Sequence, residues 1–389
     1  MKKKMDLLKI INIKGIVSKL SPSEIWELKD ESGKQFVMKV FPSFENDLSE
    51  ILIPRLYGLY YEGMIYENVI KEIQEKYPFF VKCKEFCKEC KYEDLMNILK
   101  GKVCDDGNLL SEYQIDLNLK RNIYYILTTD KYDTHERCKP IQIGLGKDIF
   151  FPSSKNCNKI VNKTKYSYIL MEKIDGIPLS KFYDEQIKEN CYFNKEVWNV
   201  IFQLVIACYG LNSYKTNHKD LHVNNIYVKE LKEPEILEYE IGDKKYNLVI
   251  KNKVVIYDFD RSSCEKLGEN KLLNCKDNYR NNRFVEVLDI IKVLFDYVNC
   301  IFLNFGKNES FEILKDKVLD LVLKNTSFVL RKYYESLFYD DNVTLSLIYN
   351  KEGILDPKGN VIVEIEDVYC PNIYCKRIEE IIDAIYELI

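Results

Sequence analysis

The chain has 389 residues, 46% of them hydrophobic, which is enough apolar material for one large two-lobed domain or two ordinary domains. Its 57 basic and 61 acidic residues give a net charge of -4, so the overall charge favours neither nucleic acid nor an anionic membrane as a partner. No uninterrupted apolar run reaches the roughly 18 residues that a membrane-spanning helix needs.

The N-terminal segment is a poor secretory signal. Its basic start, Lys2 to Lys4, is followed by an apolar stretch that Lys9 and Lys14 interrupt. Thirteen cysteines without a framework-like spacing favour free thiols in a reducing compartment. We therefore expect a cytoplasmic protein without a transmembrane segment.

The first predicted elements form a β-hairpin. The segments Glu24 to Leu28 and Gln35 to Phe41 flank a turn that contains Gly33. The second segment holds one lysine, Lys39, among apolar neighbours. Because an unpaired buried ammonium is costly, this lysine is expected to have an acidic partner. Alone, the pattern also fits an edge lysine whose charge reaches water.

An amphipathic helix is predicted from Glu62 onward. Its apolar residues follow Glu62 at helical spacing: Ile65, Tyr66, Val69, Ile70 and Ile73. Glu62 therefore belongs to the inward stripe of the helix and is our choice as the partner of Lys39. Glu50 is the rival, but Pro54 follows it closely and would interrupt its helix.

Residues 87–165 are interpreted as an insertion. Within it, residues 122–128 resemble a strand, and residues 166–172 form another strand just after it. In and just before this region lie six side chains of types that bind zinc, at irregular spacing: Cys83, Cys87, Cys90, Cys104, His135 and Cys138. They are interpreted either as a zinc site or as free thiols with an unrelated histidine.

The most informative segment follows an apolar helix predicted over residues 196–214. It reads His218-x-Asp220-Leu221 and, after three further residues, Asn225. A short apolar strand later ends in Asp258-Phe259. Phosphoryl transfer needs a carboxylate at the attacking hydroxyl, together with a carbonyl-type ligand and a carboxylate ligand for magnesium. Asp220, Asn225 and Asp258 supply that set.

The remaining predicted elements carry less chemistry. Residues 239–250 are interpreted as an inserted hairpin around Gly242, within outer limits of about 236–252. From Phe284 the chain is predicted to be helical, with Asp289 near the start of an apolar run. A strand is predicted over residues 360–367 and a closing helix over residues 375–388.

On these motifs, residues 12–305 resemble the protein kinase superfamily, with the Lys39 strand similar to the V-A-I-K strand. The closest variety is the divergent serine/threonine kinases of poxviruses and other large cytoplasmic DNA viruses, with haspin-like features. The resemblance implies a two-lobed α+β fold. The N-lobe, residues 1–174, would have an antiparallel sheet and one key helix. The C-lobe, residues 175–389, would be mostly helical with a C-terminal extension.

The resemblance also implies the function and its residues. The chain would bind ATP and Mg²⁺ and phosphorylate serine or threonine in protein substrates, in the cytoplasm of a host cell or in a virion. Asp220 would be the catalytic base, Asn225 and Asp258 the magnesium ligands, and Lys39, paired with Glu62, the ligand of the α- and β-phosphates. The other implied nucleotide contacts are Ile25, Val37, Met171, Glu172, Ile174 and Tyr227. His218 and Asp289 would support the catalytic loop.

Four departures from the kinase pattern leave alternatives open. Ser18, Leu20 and Ser23 stand where the glycine-rich loop has glycines, which hinders close approach of the backbone to phosphate. Lys219 replaces an arginine, Asp260 replaces a glycine, and no Ala-Pro-Glu follows Asp258. One alternative is a small-molecule kinase of the aminoglycoside or choline type. The other is a pseudokinase scaffold.

Overall fold

The computed structural model is an α+β structure with antiparallel sheets and several helices. The chain divides into two compact units, of which the first comprises residues 1–67 and 82–173 and the second residues 68–81 and 174–389. The structure describes residues 10–16, 23–30, 32–43, 53–99, 165–187, 194–274, 282, 284–306, 308–324, 349–350, 353–355, 361–364 and 375–389.

The first unit is built on a five-stranded antiparallel sheet with the strand order β1-β2-β3-β5-β4. Helix α1 continues into α2 through a π-helical turn, Tyr66–Ile70. The elements of this unit are β1 (Ile10–Ile16), β2 (Glu24–Asp30), β3 (Gln35–Pro42), α1 (Ile53–Ile65), β4 (Cys83–Lys91), α3 (Tyr92–Leu99) and β5 (Lys165–Glu172), whereas α2 (Lys71–Ile73) belongs to the second unit.

The β2–β3 hairpin forms as the sequence predicts, for an identifiable local reason. One carboxylate oxygen of Asp30 accepts hydrogen bonds from the backbone N–H and the hydroxyl of Ser32 and from the N–H of Lys34. Gly33 has a φ of +84°, a conformation that glycine adopts without steric cost. The turn sets the register in which Ile25 lies opposite Lys39.

The sheet has two different faces. On one face, alternate residues of three strands pack with Leu95 of α3 into an apolar cluster: Trp26, Leu28, Phe36, Met38, Val40, Tyr166, Tyr168 and Leu170. Because successive side chains of a strand point to opposite faces, the residues between them face the other side. Lys39 is one of those residues.

The helix that carries Glu62 begins at Ile53, nine residues before the predicted start. Pro54 lies in the first turn, where its missing N–H has no intrahelical partner to lose, and Glu50, whose helix Pro54 was expected to interrupt, lies outside the described residues. Gly63 permits close packing of α1 on β4, because a Cβ there would lie 2.3 Å from the Phe86 ring.

The predicted insertion differs from the structure at its start. Residues 87–91 continue strand β4, which pairs with β5 at the edge of the sheet. This segment is rich in lysine, glutamate and cysteine and lacks the apolar alternation that identifies a strand in sequence. The strand predicted over residues 122–128 lies outside the described residues.

The second unit centres on helix α5, whose residues between Val197 and Leu211 are almost all buried. Its elements are β6 (Ile177–Pro178), α4 (Leu179–Gln186), α5 (Lys195–Asn212), β7 (Thr216–Asn217), β8 (Ile226–Ile241), β9 (Lys244–Ile256), β10 (Ser263–Cys264), α6 (Leu288–Phe305), α7 (Glu309–Val322), β11 (Tyr349–Asn350), β12 (Gly353–Leu355), β13 (Val361–Glu364) and α8 (Ile378–Tyr386).

The predicted inserted hairpin is the distal part of a longer one. Strands β8 and β9 pair from Ile226 opposite Ile256 to Ile241 opposite Lys244, with one irregularity between Glu230 and Glu235. The turn falls at Gly242, as the sequence predicts, with φ +59°. None of the helices in the described ranges combines the length and hydropathy that a membrane crossing requires.

The segment 68–81, which the sequence assigns to the first domain, groups with the second unit. The Val81 N–H donates to the carbonyl of Ile256, and the Ile256 N–H donates to the carbonyl of Phe79. Tyr77 stacks on Tyr239 with ring centroids 6.1 Å apart. Backbone pairing with β9 and these ring contacts therefore outweigh proximity in sequence.

Candidate active site

Lys39 and Glu62 form a buried ion pair in the first unit. The Lys39 Nζ lies 3.0 Å from Oε1 and 2.9 Å from Oε2 of Glu62. The two side chains are 9% and 0% exposed. Because a lone buried charge is costly, the pair ties α1 to the central strand β3. The structure thus joins the two residues that the sequence predicts as partners, while Glu50 lies outside the described residues.

Three other predicted nucleotide residues share the sheet face of Lys39. Ile25 lies opposite Lys39, and Val37 lies opposite Met171, two positions away along β3. The side chain of Glu172 is on the other face, opposite Phe36, and pairs there with Lys34 and Lys84. The Lys39 face therefore lacks the Glu172 carboxylate, but it includes Glu27, which lies opposite Val37 and pairs with Lys173.

Asp289 anchors the predicted catalytic loop of the second unit. Its Oδ2 accepts hydrogen bonds from the backbone N–H of His218 at 2.8 Å and from Asn217 Nδ2 at 3.1 Å, and its Oδ1 accepts from the N–H of Lys219 at 2.8 Å. Asp289 is 2% exposed and lies in the first turn of α6. It therefore braces the loop, as the sequence predicts.

The loop backbone is strained at a single residue. Lys219 has a φ of +60°, in the left-handed region that costs a residue with a side chain on the order of 1–3 kcal/mol. The hydrogen bond from its N–H to Asp289 helps to hold this conformation. The carboxylate of Asp289 therefore supports the backbone at position 219 directly.

His218 joins the loop to the segment that carries Asp258. Its Nδ1 accepts a hydrogen bond from the Asp220 N–H at 3.3 Å, so Nε2 is the protonated nitrogen and donates to the carbonyl of Tyr257 at 2.9 Å. The ring is fully buried and packs against Phe259 with centroids 4.6 Å apart. These contacts give His218 the supporting role that the sequence predicts.

Asn225 and Asp258 lie at neighbouring ends of two paired strands. Asn225 directly precedes Ile226, which pairs with Ile256, and the Tyr257 N–H donates to the Asn225 carbonyl at 3.2 Å. Asn225 Nδ2 donates to the Asp220 carbonyl at 2.9 Å, so the amide oxygen is the atom that can bind a cation. An amide oxygen and a carboxylate are hard ligands that suit Mg²⁺.

The Asp258 segment has its own support, which the sequence did not reveal. Asp258 has a φ of +69°, an uncommon conformation that is concentrated at functional sites. Buried Asn270 donates to the carbonyls of Asp260 and Ser262 at 2.8 and 2.9 Å. Asp260 is not among the described residues with positive φ, so its backbone does not require the glycine that kinases have there.

Two cations flank the carboxylate of Asp220. Lys292 Nζ lies 3.5 Å from Oδ1, and Arg261 Nη1 lies 3.4 Å from Oδ2. His222 Nε2 is 3.9 Å from Oδ2. Burial lowers the pKa of His222, and Lys292 and His218 act in the same direction, against Asp220 and Asp258. At neutral pH the positive charge beside Asp220 therefore comes from Lys292 and Arg261.

The sequence reasoning missed Lys292 and Asp296, although a signal was present. Both are polar residues in an apolar helix and follow Asp289 at i+3 and i+7, so the three share one helix face. The Asp296 carboxylate accepts a hydrogen bond from the N–H of Val223, and burial raises its pKa to about 7. This face of α6 therefore contacts the catalytic loop at several points.

The other predicted residues are placed as follows. Tyr227 is half-buried on β8 with its ring 5.5 Å from that of Tyr257, and Ile174 is half-buried at the start of the second unit. Ser23 is buried directly before β2, whereas Ser18 and Leu20 lie outside the described residues.

The cysteines of β4 were candidate zinc ligands. In the described part of the chain, no group of three or more histidine, cysteine, aspartate or glutamate residues is arranged to hold a metal ion. Burial raises the pKa of Cys83 to about 12, and Cys83, Cys87 and Cys90 are free thiols. The other candidate zinc ligands, Cys104, His135 and Cys138, lie outside the described residues.

Comparison with known proteins leaves the family unassigned. No protein-family model matches the chain. A segment of 95 residues is 36% identical to part of an uncharacterized protein of Dictyostelium discoideum. The match covers 23% of this chain and 9% of the Dictyostelium protein, so it spans only a small part of that relative's length. This match therefore assigns no function to the chain.

Proposed function

We propose that this chain is an ATP-dependent protein kinase, with a two-lobed kinase-like fold, that transfers the γ-phosphoryl group to serine or threonine hydroxyls. One observation carries the proposal. A single buried carboxylate, Asp289, fixes the loop on which Asp220 and Asn225 lie, and His218 links this loop to the segment of Asp258. The arrangement unites the base and the metal ligands that phosphoryl transfer requires.

In this proposal, Asp220 orients the acceptor hydroxyl and accepts its proton as the oxygen attacks the γ-phosphorus. Its carboxylate is 11% exposed and lies 3.4 Å from Arg261 and 3.5 Å from Lys292. Asn225 and Asp258 would hold Mg²⁺, which neutralises charge on the phosphates when bound. Protein catalysis here is mostly positioning and charge stabilisation.

Lys39 is proposed to bind the α- and β-phosphates of ATP. The bidentate contact with Glu62 supports this role, since it sets the direction of the ammonium on the sheet face that also holds Ile25 and Val37. With Ser18, Leu20 and Ser23 in place of glycines, backbone contacts to phosphate are expected to be weak. Lys39 and the metal ligands would then provide most of the triphosphate affinity.

The pseudokinase alternative is favoured by the substituted glycine loop alone. Against it stand the buried Lys39–Glu62 pair and the strained backbone at Asp258, which are costly to maintain in a protein that only binds partners. A small-molecule kinase would use the same chemistry and differ only in its acceptor. The composition of the chain supports a cytoplasmic location for either enzyme.

The test is a phosphoryl-transfer assay with γ-labelled ATP and Mg²⁺, using generic protein acceptors in one series and aminoglycosides and choline in the other. We expect label in serine or threonine of protein and none in the small molecules. Asp220→Asn should abolish transfer, whereas Asp243→Asn, at the exposed hairpin turn, should leave it unchanged. Label in small molecules alone would identify the alternative enzyme, and no transfer in either series would contradict both.

A further inference from the structure

One face of the N-terminal half of α6 contacts the loop that carries Asp220. Asp289 binds the backbone at His218 and Lys219, Lys292 pairs with Asp220, and Asp296 accepts from the N–H of Val223. Because these three α6 residues are spaced i, i+3 and i+7, the helix presents them as one row. Among them, Lys292 is the one that meets the side chain of the proposed base.

The two cations beside Asp220 differ in how exposed they are and in which kind of element carries them. Lys292 is 14% exposed and comes from a helix, whereas Arg261 is 41% exposed and lies in a turn. An exposed ion pair is weak because water screens it and the side chain loses rotamer freedom. A mostly buried pair anchored on a helix is held more firmly. The two oxygens of Asp220 are therefore not equivalent.

We propose that Lys292 is a positioning residue for Asp220: it holds Oδ1, so that Oδ2 faces the acceptor hydroxyl when the acceptor displaces the more exposed side chain of Arg261. This inference rests on the proposed kinase function. His222 does not fill the same role, because its Nε2 is 3.9 Å from Oδ2, beyond hydrogen-bond distance. Lys292 acts through Asp220 and contacts no reacting atom.

This geometry predicts that loss of Lys292 lowers the rate of phosphoryl transfer and has little effect on the affinity for nucleotide. A hydroxyl must lie about 2.6–3.2 Å from its base to be deprotonated. Without Lys292, the Asp220 carboxylate loses the ion pair at Oδ1 that helps to fix its orientation, and misplacement by about 1 Å costs on the order of 100-fold in rate. The nucleotide contacts proposed for Lys39, Asn225 and Asp258 do not involve Lys292.

The test compares kinetic constants in the full chain. Lys292→Met should lower kcat about 10- to 100-fold, with the KM for ATP and the calorimetric affinity for Mg-ADP changed by less than about twofold. Lys292→Arg keeps the charge and should recover part of the lost rate. Arg261→Gln should change kcat by less than about threefold. The matched control is Lys315→Met, a buried lysine on α7 that pairs with Glu312 and not with Asp220.

A second variant controls for a loss of activity caused by misfolding. Lys292→Met leaves Asp296 buried without its neighbouring cation, so Lys292→Met/Asp296→Asn removes both charges and retains an acceptor for the Val223 N–H. This double variant should show the same loss of kcat with a Tm close to that of the wild type. A kcat within threefold of the wild type in either folded variant would overturn the proposal, as would a Lys292→Arg variant no faster than Lys292→Met.

The two proposals fail in different ways. A wild-type chain that transfers no phosphoryl group to any acceptor refutes the kinase function, and the positioning role with it. An active wild type with an equally active Lys292→Met refutes the positioning role alone. A variant whose loss lies in the affinity for Mg-ADP rather than in kcat would place Lys292 with the nucleotide ligands and would also overturn the inference.

Discussion

The two units fix their functional charges by different means. In the first unit, Lys39 is held by the side chain of Glu62, so two side chains depend on each other. In the second unit, Asp289 is held by backbone N–H groups of the loop it supports. A side-chain pair can be replaced as a unit by substitution, but backbone donors cannot. The loop therefore tolerates a changed side chain, such as Lys219, while it still requires the carboxylate.

The largest expected effect separates chemistry from binding within the second unit. Asp220→Asn removes the proposed proton acceptor and should lower kcat at least about 100-fold while sparing the affinity for Mg-ATP. Asp258→Asn removes a proposed metal ligand and should lower both kcat and this affinity. Rates with labelled ATP and affinities from calorimetry would show the split. Full activity in Asp220→Asn would contradict its assignment as the base.

The second prediction tests whether apolar side chains can replace the Lys39–Glu62 pair without loss of stability. Lys39→Met leaves Glu62 charged at 0% exposure and should lower the free energy of unfolding by about 3–5 kcal/mol. Lys39→Met/Glu62→Leu removes both charges and should recover most of that stability, whereas the affinity for Mg-ATP should stay low in both variants. Denaturant unfolding and calorimetry measure the two quantities.

The exposed pair of Lys34 with Glu172 provides the matched control for this test. Lys34 is 46% exposed, so Lys34→Met should cost at most about 1 kcal/mol. If the double variant at Lys39 and Glu62 stayed as unstable as Lys39→Met, the pair would not be the replaceable unit described above. If Lys39→Met bound Mg-ATP normally, the phosphate-binding role of Lys39 would be wrong.

The sequence predicted the parts of the site that depend on residue type at fixed spacing. Lys39 in an apolar strand, Glu62 on an apolar helix stripe and Asp289 near a helix start are each encoded within one element. Their contacts follow because a buried charge has few partners to choose from. The hairpin turn at Gly33 was predictable for a similar reason, since its geometry depends on only a few local residues.

The missed features depend on contacts between distant segments. Residues 68–81 belong to the second unit because of backbone pairing with Ile256, which no local pattern encodes. Lys292 and Asp296 face the loop only because α6 packs beneath it. The early start of α1 at Ile53 was missed because Pro54 has opposite meanings in the first turn and in the interior of a helix.

The third prediction concerns Asp289, whose backbone partners cannot be removed by substitution. Asp289→Ala removes the acceptor of three donors, two of them backbone N–H groups, and should cost about 3 kcal/mol in unfolding free energy. Asp289→Asn keeps one acceptor oxygen and should lose less. Transfer activity should fall in both, because the strained backbone at Lys219 loses its support. Unchanged stability in Asp289→Ala would remove the contrast between the two units.

The last prediction concerns the pH dependence of stability, which depends on the charge of Asp296 on α6. Burial raises the pKa of Asp296 to about 7 from its ordinary value of 3.8, and its Oδ2 is buried without a hydrogen-bond partner among the described residues. Between these two pH values the folded chain binds this proton more tightly than the unfolded chain. The resulting stabilisation is therefore present below about pH 4 and lost as the pH rises through 7.

Asp296→Asn cannot ionise, so it removes this loss. The free energy of unfolding of the variant, relative to wild type, should rise by roughly 1–4 kcal/mol between about pH 4 and pH 8. Other groups with raised pKa values, such as Glu286, are common to both proteins and cancel in the difference. Denaturant unfolding at several pH values measures it, with Asp184→Asn as an exposed control on α4. Parallel stability curves for variant and wild type would mean that Asp296 remains ionised beside Lys292, and that the α6 row carries alternating charges at neutral pH.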